Sequence, residues 1–233
     1  KGNPAEDIGL IYDTLTVQSQ DEPFTQYGLV AQKITMPRDR SWVVFHIHPQ
    51  ARFHDGHKIT AHDVVFTFNA IMQHGAPTYT QYYKDVDQVQ ALDRTRVKFS
   101  FGSGENKELP LIVGQLPVLP RHFWQERSFP DSGLTTPLGS GPYRIADFKA
   151  GHFVRYERVT DYWAADHPVN KGRYNFGSVR YDYYRDGTVA LEAFKAGEYD
   201  YRLENSSKSW AKGYASPALE QGKIRKLEIE HDM

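Results

Sequence analysis

The stretch FHDGHKITAHDVVFTF, residues 53–68, contains a turn followed directly by the start of a helix. Its Asp-Gly pair is typical of a turn. Thr60 and Asp63 have the spacing of an N-cap residue and a capping-box acid. Apolar residues then recur at helical spacing, and they are Val64, Val65, Phe68, Ile71 and Met72. The pattern predicts a helix over 61–73 that buries one face.

Short β-rich runs lie on both sides of this helix. They are bounded by turn residues and predict strands over 42–47, 86–92, 96–101, 143–148 and 153–158. The last two runs flank Ala150-Gly151 and predict a hairpin. Residues 76–84 predict a loop, and residues 224–233 predict a further strand.

A strand, a helix and a second strand are predicted in close succession, over 178–184, 189–196 and 198–203. Asp186 or Thr188 would cap the helix, and Gly197 would end it. This spacing predicts a βαβ unit with parallel pairing, and so an α/β fold.

The composition excludes several classes of protein. The 28 basic and 29 acidic residues give a net charge of −1, so we expect no nucleic-acid partner. The chain has no cysteine, which excludes disulfides, thiol nucleophiles and iron–sulfur clusters. It also has no apolar run of the length that a membrane-spanning helix needs.

Five histidines lie close together in the sequence, at His46, His48, His54, His57 and His62. The first two alternate on a predicted strand, which places both imidazoles on one face, as metal sites often do. No cysteine assists them, and a turn and a helix cap explain the nearby carboxylates. We therefore expect structural roles for these histidines and no metal site.

No motif indicates catalysis. The sequence GSGP at 139–142 lacks the Gly-x-Ser-x-Gly pattern of a nucleophile elbow. No glycine-rich phosphate loop precedes a helix. We expect neither an enzyme nor a bound cofactor.

The segment RLENSSKSW, residues 202–210, is the best candidate for ligand binding. It leaves the end of a predicted strand, where α/β sheets bind ligands, and it is rich in donors and acceptors. The candidate residues are Arg202, Glu204, Asn205, Ser206, Ser207 and Trp210. Glu204 could pair with a ligand amine or with Arg202, and in the second case its role is structural.

The stretch at 53–68 resembles the signature of the family 5 extracellular solute-binding proteins, the peptide-binding components of ABC importers. Further landmarks follow in the family's order: LPRH (119–122), GSGPY (139–143), DYW (161–163) and AFKAGEYD (193–200). Three more stretches resemble the Yej-type branch: SQDEPFT (19–25), ELPLIVGQLP (108–117) and RLENSS (202–207).

The resemblance implies a periplasmic-binding-protein-like α/β fold of type II, cluster C. It implies that the chain is truncated at both ends, without a signal peptide and with the second lobe largely absent. Residues 1–137 would be the inserted subdomain of lobe I with a remnant of its N-terminal part. Residues 138–203 would be its sheet portion, and residues 204–233 the hinge crossing and the start of lobe II.

The resemblance also implies a function. The protein would be a periplasmic monomer that captures oligopeptides between two lobes and delivers them to ABC permease subunits. The Yej-type branch adds peptide antibiotics such as microcin C as ligands. The alternatives are a nickel- or metal-chelate-binding member of the family and a peptide-processing hydrolase.

Overall fold

The computed structural model describes residues 4–102, 106–127 and 133–228. The chain divides into two units, Lys1–Tyr181 and Asp182–Met233. The strands in the described residues are β1 (Thr16–Gln18), β2 (Gln26–Gly28), β3 (Ala31–Thr35), β4 (Trp42–Ile47), β5 (Val86–Ala91), β6 (Arg96–Phe101), β7 (Tyr143–Lys149), β8 (Phe153–Arg158) and β9 (Ser178–Asp182). The helices there are α1 (Ala61–His74), α2 (Pro77–Tyr82), α3 (Leu109–Gly114), α4 (Arg121–Trp124), α5 (Gly187–Lys195) and α6 (Pro217–Glu220).

An antiparallel sheet with the strand order β3-β4-β6-β5 forms the core of the first unit. Its central strand β4 buries Val43, Phe45 and Ile47. Helix α1 packs on this sheet, with the Phe68 ring centroid 5.9 Å from that of Phe99 on β6. The three strands predicted around this helix are confirmed.

Helix α1 begins as its sequence predicts. The backbone N–H and the hydroxyl of Thr60 both donate to Asp63 Oδ2, at 2.9 and 2.6 Å. The other carboxylate oxygen accepts the Arg121 backbone N–H at 3.0 Å. Asp63 therefore completes the cap at the start of α1 and also ties this helix to the start of α4.

In the described residues, strands β1 and β2 form a small antiparallel sheet, and β7, β8 and β9 form a three-stranded one. The predicted hairpin is confirmed, with β7 and β8 antiparallel and Gly151 at φ +72° in the turn between them. The hairpin packs on the N-terminal segment through a small core of Ile11, Tyr143, Val154 and Tyr156.

Two glycines allow the chain to pass directly over Ile11. The N–H groups of Ser140 and Gly141 both donate to the Ile11 carbonyl oxygen, at 2.8 and 2.9 Å. A Cβ atom at Gly139 would lie 1.9 Å from that same oxygen, and one at Gly141 would lie 2.6 Å from the Leu10 oxygen. Only glycine fits this close approach of two backbones.

Asp13 is a buried carboxylate, only 2% exposed, that joins distant parts of the first unit. The Tyr162 hydroxyl donates to its Oδ1 and the Trp163 indole N–H to its Oδ2, both at 2.7 Å. Its backbone N–H donates to Ser140 Oγ at 3.0 Å. Burial raises the pKa of Asp13 to about 7, although these donors act to lower it.

The predicted βαβ unit is only partly correct. Strand β9 and helix α5 form, and the Asp186 carboxylate accepts the N–H groups of Thr188 and Val189, both at 2.9 Å. Gly197 follows the helix at φ +81°. The predicted strand over 198–203 is wrong, because the described residues offer it no neighbouring strand with which to pair. The parallel pairing is therefore also wrong.

Two other expectations need correction. The predicted loop at 76–84 contains helix α2, which begins with proline at a first-turn position that favours a helix start. No strand forms over the described residues 224–228, and 229–233 lie outside the described part. In the described residues, no helix combines the length and the apolar character needed to cross a membrane.

Candidate ligand-binding segment

The backbone of residues 199–205, in the second unit, lies in neither a helix nor a strand. Within the described part of that unit, none of these residues forms a backbone-to-backbone hydrogen bond. Helical structure resumes at residue 207 and continues into a π-helical turn at Ser209–Gly213. The segment therefore offers a run of main-chain donors and acceptors that the described chain does not use.

Arg202 and Glu204 pair with each other inside this segment. The Arg202 Nη2 atom lies 3.4 Å from Glu204 Oε2, and the Tyr214 hydroxyl donates to the same oxygen at 3.1 Å. The Ser206 N–H donates to the other oxygen, Oε1, at 2.8 Å. The Glu204 side chain is 7% exposed. Of its two possible partners, the carboxylate takes Arg202 here, which is the arrangement in which its role is structural.

The electrostatics agree with this geometry. The Ser206 N–H holds the pKa of Glu204 below its ordinary value, and Tyr214 and Arg202 add to this effect against a smaller effect of burial. Tyr199 also contributes, because its hydroxyl lies 3.2 Å from Arg202 Nη1. The network anchors one end of the segment.

The other predicted site residues are placed differently. Asn205, Ser206 and Ser207 are exposed. Trp210 is half-buried, and Lys226 Nζ lies 4.3 Å from its ring centroid, so a cation of the chain itself covers one face of the indole. The structure thus brings Arg202, Glu204 and Ser206 together and leaves the side chains of Asn205 and Ser207 exposed.

Sequence reasoning missed Tyr201 and Leu203. They are 73% and 64% exposed and lie on either side of Arg202, next to the anchored ion pair. The signal was present in the sequence, because residues 201–204 alternate apolar and charged side chains. Both residues add apolar surface beside the unpaired backbone.

Three of the clustered histidines contact protein groups. His46 Nε2 lies 3.1 Å from Thr35 Oγ1, and His54 Nε2 lies 2.8 Å from the Gly141 carbonyl oxygen. The His48 ring lies 5.4 Å from the Trp163 ring. Burial lowers the pKa of both His48 and His54. These contacts suit structural histidines.

Several motifs behind the family resemblance pack within the first unit. The N–H of His54, in the first motif, donates to the Gly139 carbonyl of GSGPY at 2.9 Å. Tyr162 and Trp163 of DYW both bind Asp13. These motifs therefore belong to the scaffold of the first unit, whereas AFKAGEYD (193–200) and RLENSS (202–207) lie in the second unit and overlap the candidate segment.

A mixed α/β scaffold of this kind is found in substrate-binding proteins of ABC transporters. One solved example is the substrate-binding protein CtaP from Listeria monocytogenes, with a TM-score of 0.64 and 24% identity. The match covers 81% of this chain and 37% of that one, and it shows the fold alone. The expected periplasmic-binding-protein-like fold class is confirmed.

The family follows from sequence comparison. The family described as bacterial extracellular solute-binding proteins, family 5 Middle, matches residues 25–231, and the chain belongs to this family. YejA of Escherichia coli K12 is 44% identical over 232 residues, covering 100% of this chain. A relative in Agrobacterium fabrum, named "Probable peptide-binding protein YejA", is 36% identical and covers 98% of this chain.

The resemblance to family 5 and to its Yej-type branch is therefore confirmed. The chain spans 38% of the length of each of these two relatives. The family is defined by binding of solutes for transport and not by catalysis.

Proposed function

We propose that this chain is part of a periplasmic protein that binds oligopeptides and delivers them to the membrane subunits of an ABC importer. The name of the A. fabrum relative supports a peptide ligand. The observation that carries the proposal is the unpaired backbone of 199–205. A peptide held through main-chain hydrogen bonds is bound with little regard to its side chains, because every peptide offers the same groups.

The anchored ion pair assigns different roles within the segment. Arg202 and Glu204 hold the segment in place, and Asn205 and Ser207 present short polar side chains to the ligand. Trp210 closes the segment with an aromatic ring. In the whole protein, we propose that residues 1–137 and 138–203 belong to the first lobe and 204–233 lead into the second, with the ligand enclosed by hinge closure of a monomer.

Two more specific ligands are considered, microcin C and a metal chelate, and the structure favours the first. Microcin C carries a peptide main chain, so the same groups would bind it. A nickel or metal-chelate ligand is less favoured, because the potential metal-ligand group found in the described residues lies far from 199–210 in the sequence, at Asp55, His57 and His122. A peptide-processing hydrolase has no motif in its favour.

A test of the main-chain contacts uses one position and two substitutions. Leu203→Pro removes one backbone N–H, and Leu203→Ala keeps it while removing an exposed side chain. Both changes are made in a chimera in which this chain replaces the aligned part of E. coli YejA. Peptide affinity is measured by calorimetry with a mixed set of short peptides.

We expect Leu203→Pro to weaken binding about tenfold, or ~1.4 kcal/mol, and Leu203→Ala to weaken it less than about threefold. Peptides N-methylated along the backbone should bind more weakly than their parents, whereas side-chain exchanges should matter little. Equal affinity for both variants, or tolerance of N-methylation, would show that the segment does not bind a peptide main chain.

A further inference from the structure

Three potential metal-ligating side chains converge in the first unit: Asp55, His57 and His122. His122 Nε2 lies 2.7 Å from Asp55 Oδ2, and His57 Nδ1 lies 3.0 Å from the same oxygen. The three ligand atoms all lie within 4.8 Å of one another. The two imidazole rings stack with their centroids 4.2 Å apart. The two ring nitrogens thus converge on a common point, the carboxylate oxygen Asp55 Oδ2.

The surrounding structure holds Asp55 in position. Its Oδ1 accepts the His57 backbone N–H at 3.1 Å, and Gly56 between them has φ +87°, which shapes the turn. The His122 ring nitrogen Nε2, at 2.7 Å from Oδ2, holds the other side of the carboxylate.

His122 is positioned just as firmly. It lies in α4, whose first residue, Arg121, donates its backbone N–H to the buried Asp63. The ring of the buried Phe53 lies 5.7 Å from the His122 ring. The His57 side chain, by contrast, is 65% exposed, which leaves the common point open to solvent.

We propose that Asp55, His57 and His122 bind a divalent transition-metal ion, with Zn²⁺ as the best match. Zinc prefers imidazole and carboxylate ligands at about 2.0–2.2 Å in a tetrahedron, and sites with three protein ligands keep the fourth position open. On binding, both imidazoles present a lone pair to the metal, and each carries its proton on the other ring nitrogen. Asp55 Oδ2 then binds the ion in place of the two imidazoles.

Neighbouring charges limit the affinity of this site. Lys58, Arg94 and Arg121 line the same open depression as His57 and His122. Their positive charges oppose a cation and favour an anionic ligand in the open position. We therefore expect weaker binding than at buried structural zinc sites.

This metal site goes beyond the proposed peptide function. Its ligands lie in the first unit, whereas the candidate peptide segment lies in the second. The metal would be a ligand of the scaffold and not transported cargo. A failed test of peptide binding therefore does not affect the metal proposal, and a failed test of metal binding does not affect the peptide proposal.

Calorimetric titration of ZnCl₂ into the untagged 233-residue chain, near neutral pH in a weakly coordinating buffer, tests the proposal. We expect one Zn²⁺ per chain and at least about tenfold weaker binding in His57→Ala. The matched control is His62→Ala, which removes an exposed histidine from the same depression and should bind within twofold of the parent. Co²⁺ should give the visible absorption of a tetrahedral site.

Circular dichroism confirms that each variant is folded. His57 is exposed, so we expect His57→Ala to fold like the parent. The test therefore rests on His57→Ala and does not depend on whether a His122→Ala variant folds. The proposal is overturned if the parent shows no saturable one-to-one binding. It is also overturned if His57→Ala binds Zn²⁺ as tightly as the parent, or if His62→Ala weakens binding as much as His57→Ala.

Discussion

Asp13 makes the stability of the first unit depend on pH in a direction opposite to that of most carboxylates. The group is 2% exposed, and its pKa is raised from 3.8 to about 7 by burial. The donors from Tyr162 and Trp163 only partly compensate for the loss of solvation. Native Asp13 therefore holds a proton that the unfolded chain releases near its ordinary pKa.

The size and sign of the effect follow from this difference. Between about pH 4 and pH 7 the native state binds more protons than the unfolded state, so the free energy of unfolding falls as pH rises. The slope reaches about 1.4 kcal/mol per pH unit, and the whole range amounts to about 4 kcal/mol. Below about pH 4 both states are protonated and above about pH 7 both are ionised, so the contribution is constant there.

Urea unfolding at a series of pH values, followed by circular dichroism, measures this contribution. Asp13→Asn removes the titrating group, so the free energy of unfolding of the parent minus that of the variant should fall by about 4 kcal/mol from about pH 4 to pH 8. If Asp13→Asn does not fold, Tyr162→Phe serves instead. It removes a donor that lowers the pKa of Asp13, so the sloping range should extend to higher pH. Parallel pH profiles of parent and variant would refute the reasoning.

Two further predictions concern packing, and urea unfolding checks both. Phe68→Ala should lower the free energy of unfolding by about 3–5 kcal/mol, because the buried ring contacts Phe99 and Tyr83. The exposed neighbour Asn69→Ala should change it by less than about 0.5 kcal/mol, and equal effects would place the buried face elsewhere. Gly139→Ala should cost about 1–3 kcal/mol or more, because its Cβ would meet the Ile11 oxygen at 1.9 Å. Gly177→Ala, where no atom lies within 4 Å, should be nearly neutral, and a neutral Gly139→Ala would contradict the close approach.

Local features were predictable from the sequence because neighbouring residues determine them. The capping pair Thr60 and Asp63 marked the start of α1 correctly. The turn at Ala150-Gly151 marked the hairpin of β7 and β8. Of the two candidate caps for α5, Asp186 and Thr188, the structure shows that Asp186 caps the helix. The motif order also identified the family, which the match over 25–231 confirms.

Part of the candidate site could be predicted in the same way. The composition and chain position of 202–210 indicate a binding segment, and Arg202 is one of two partners that the sequence allows for Glu204. Whether this segment binds the ligand stays a prediction. Tyr199 and Tyr214, which complete the ion-pair network, carry no local signal because their role depends on the folding of the second unit.

The sequence by itself determined the start of α1, the hairpin of β7 and β8 and the family, since each depends on residues close together in the chain. Only the tertiary structure decided that 198–203 forms no strand, because a strand exists only where a neighbour accepts its hydrogen bonds. It also decided that His57 meets His122, 65 positions further along the chain, and that Asp13 is buried beside Tyr162. These contacts form because segments that are distant in the sequence pack against one another, and no local sequence pattern predicts such packing.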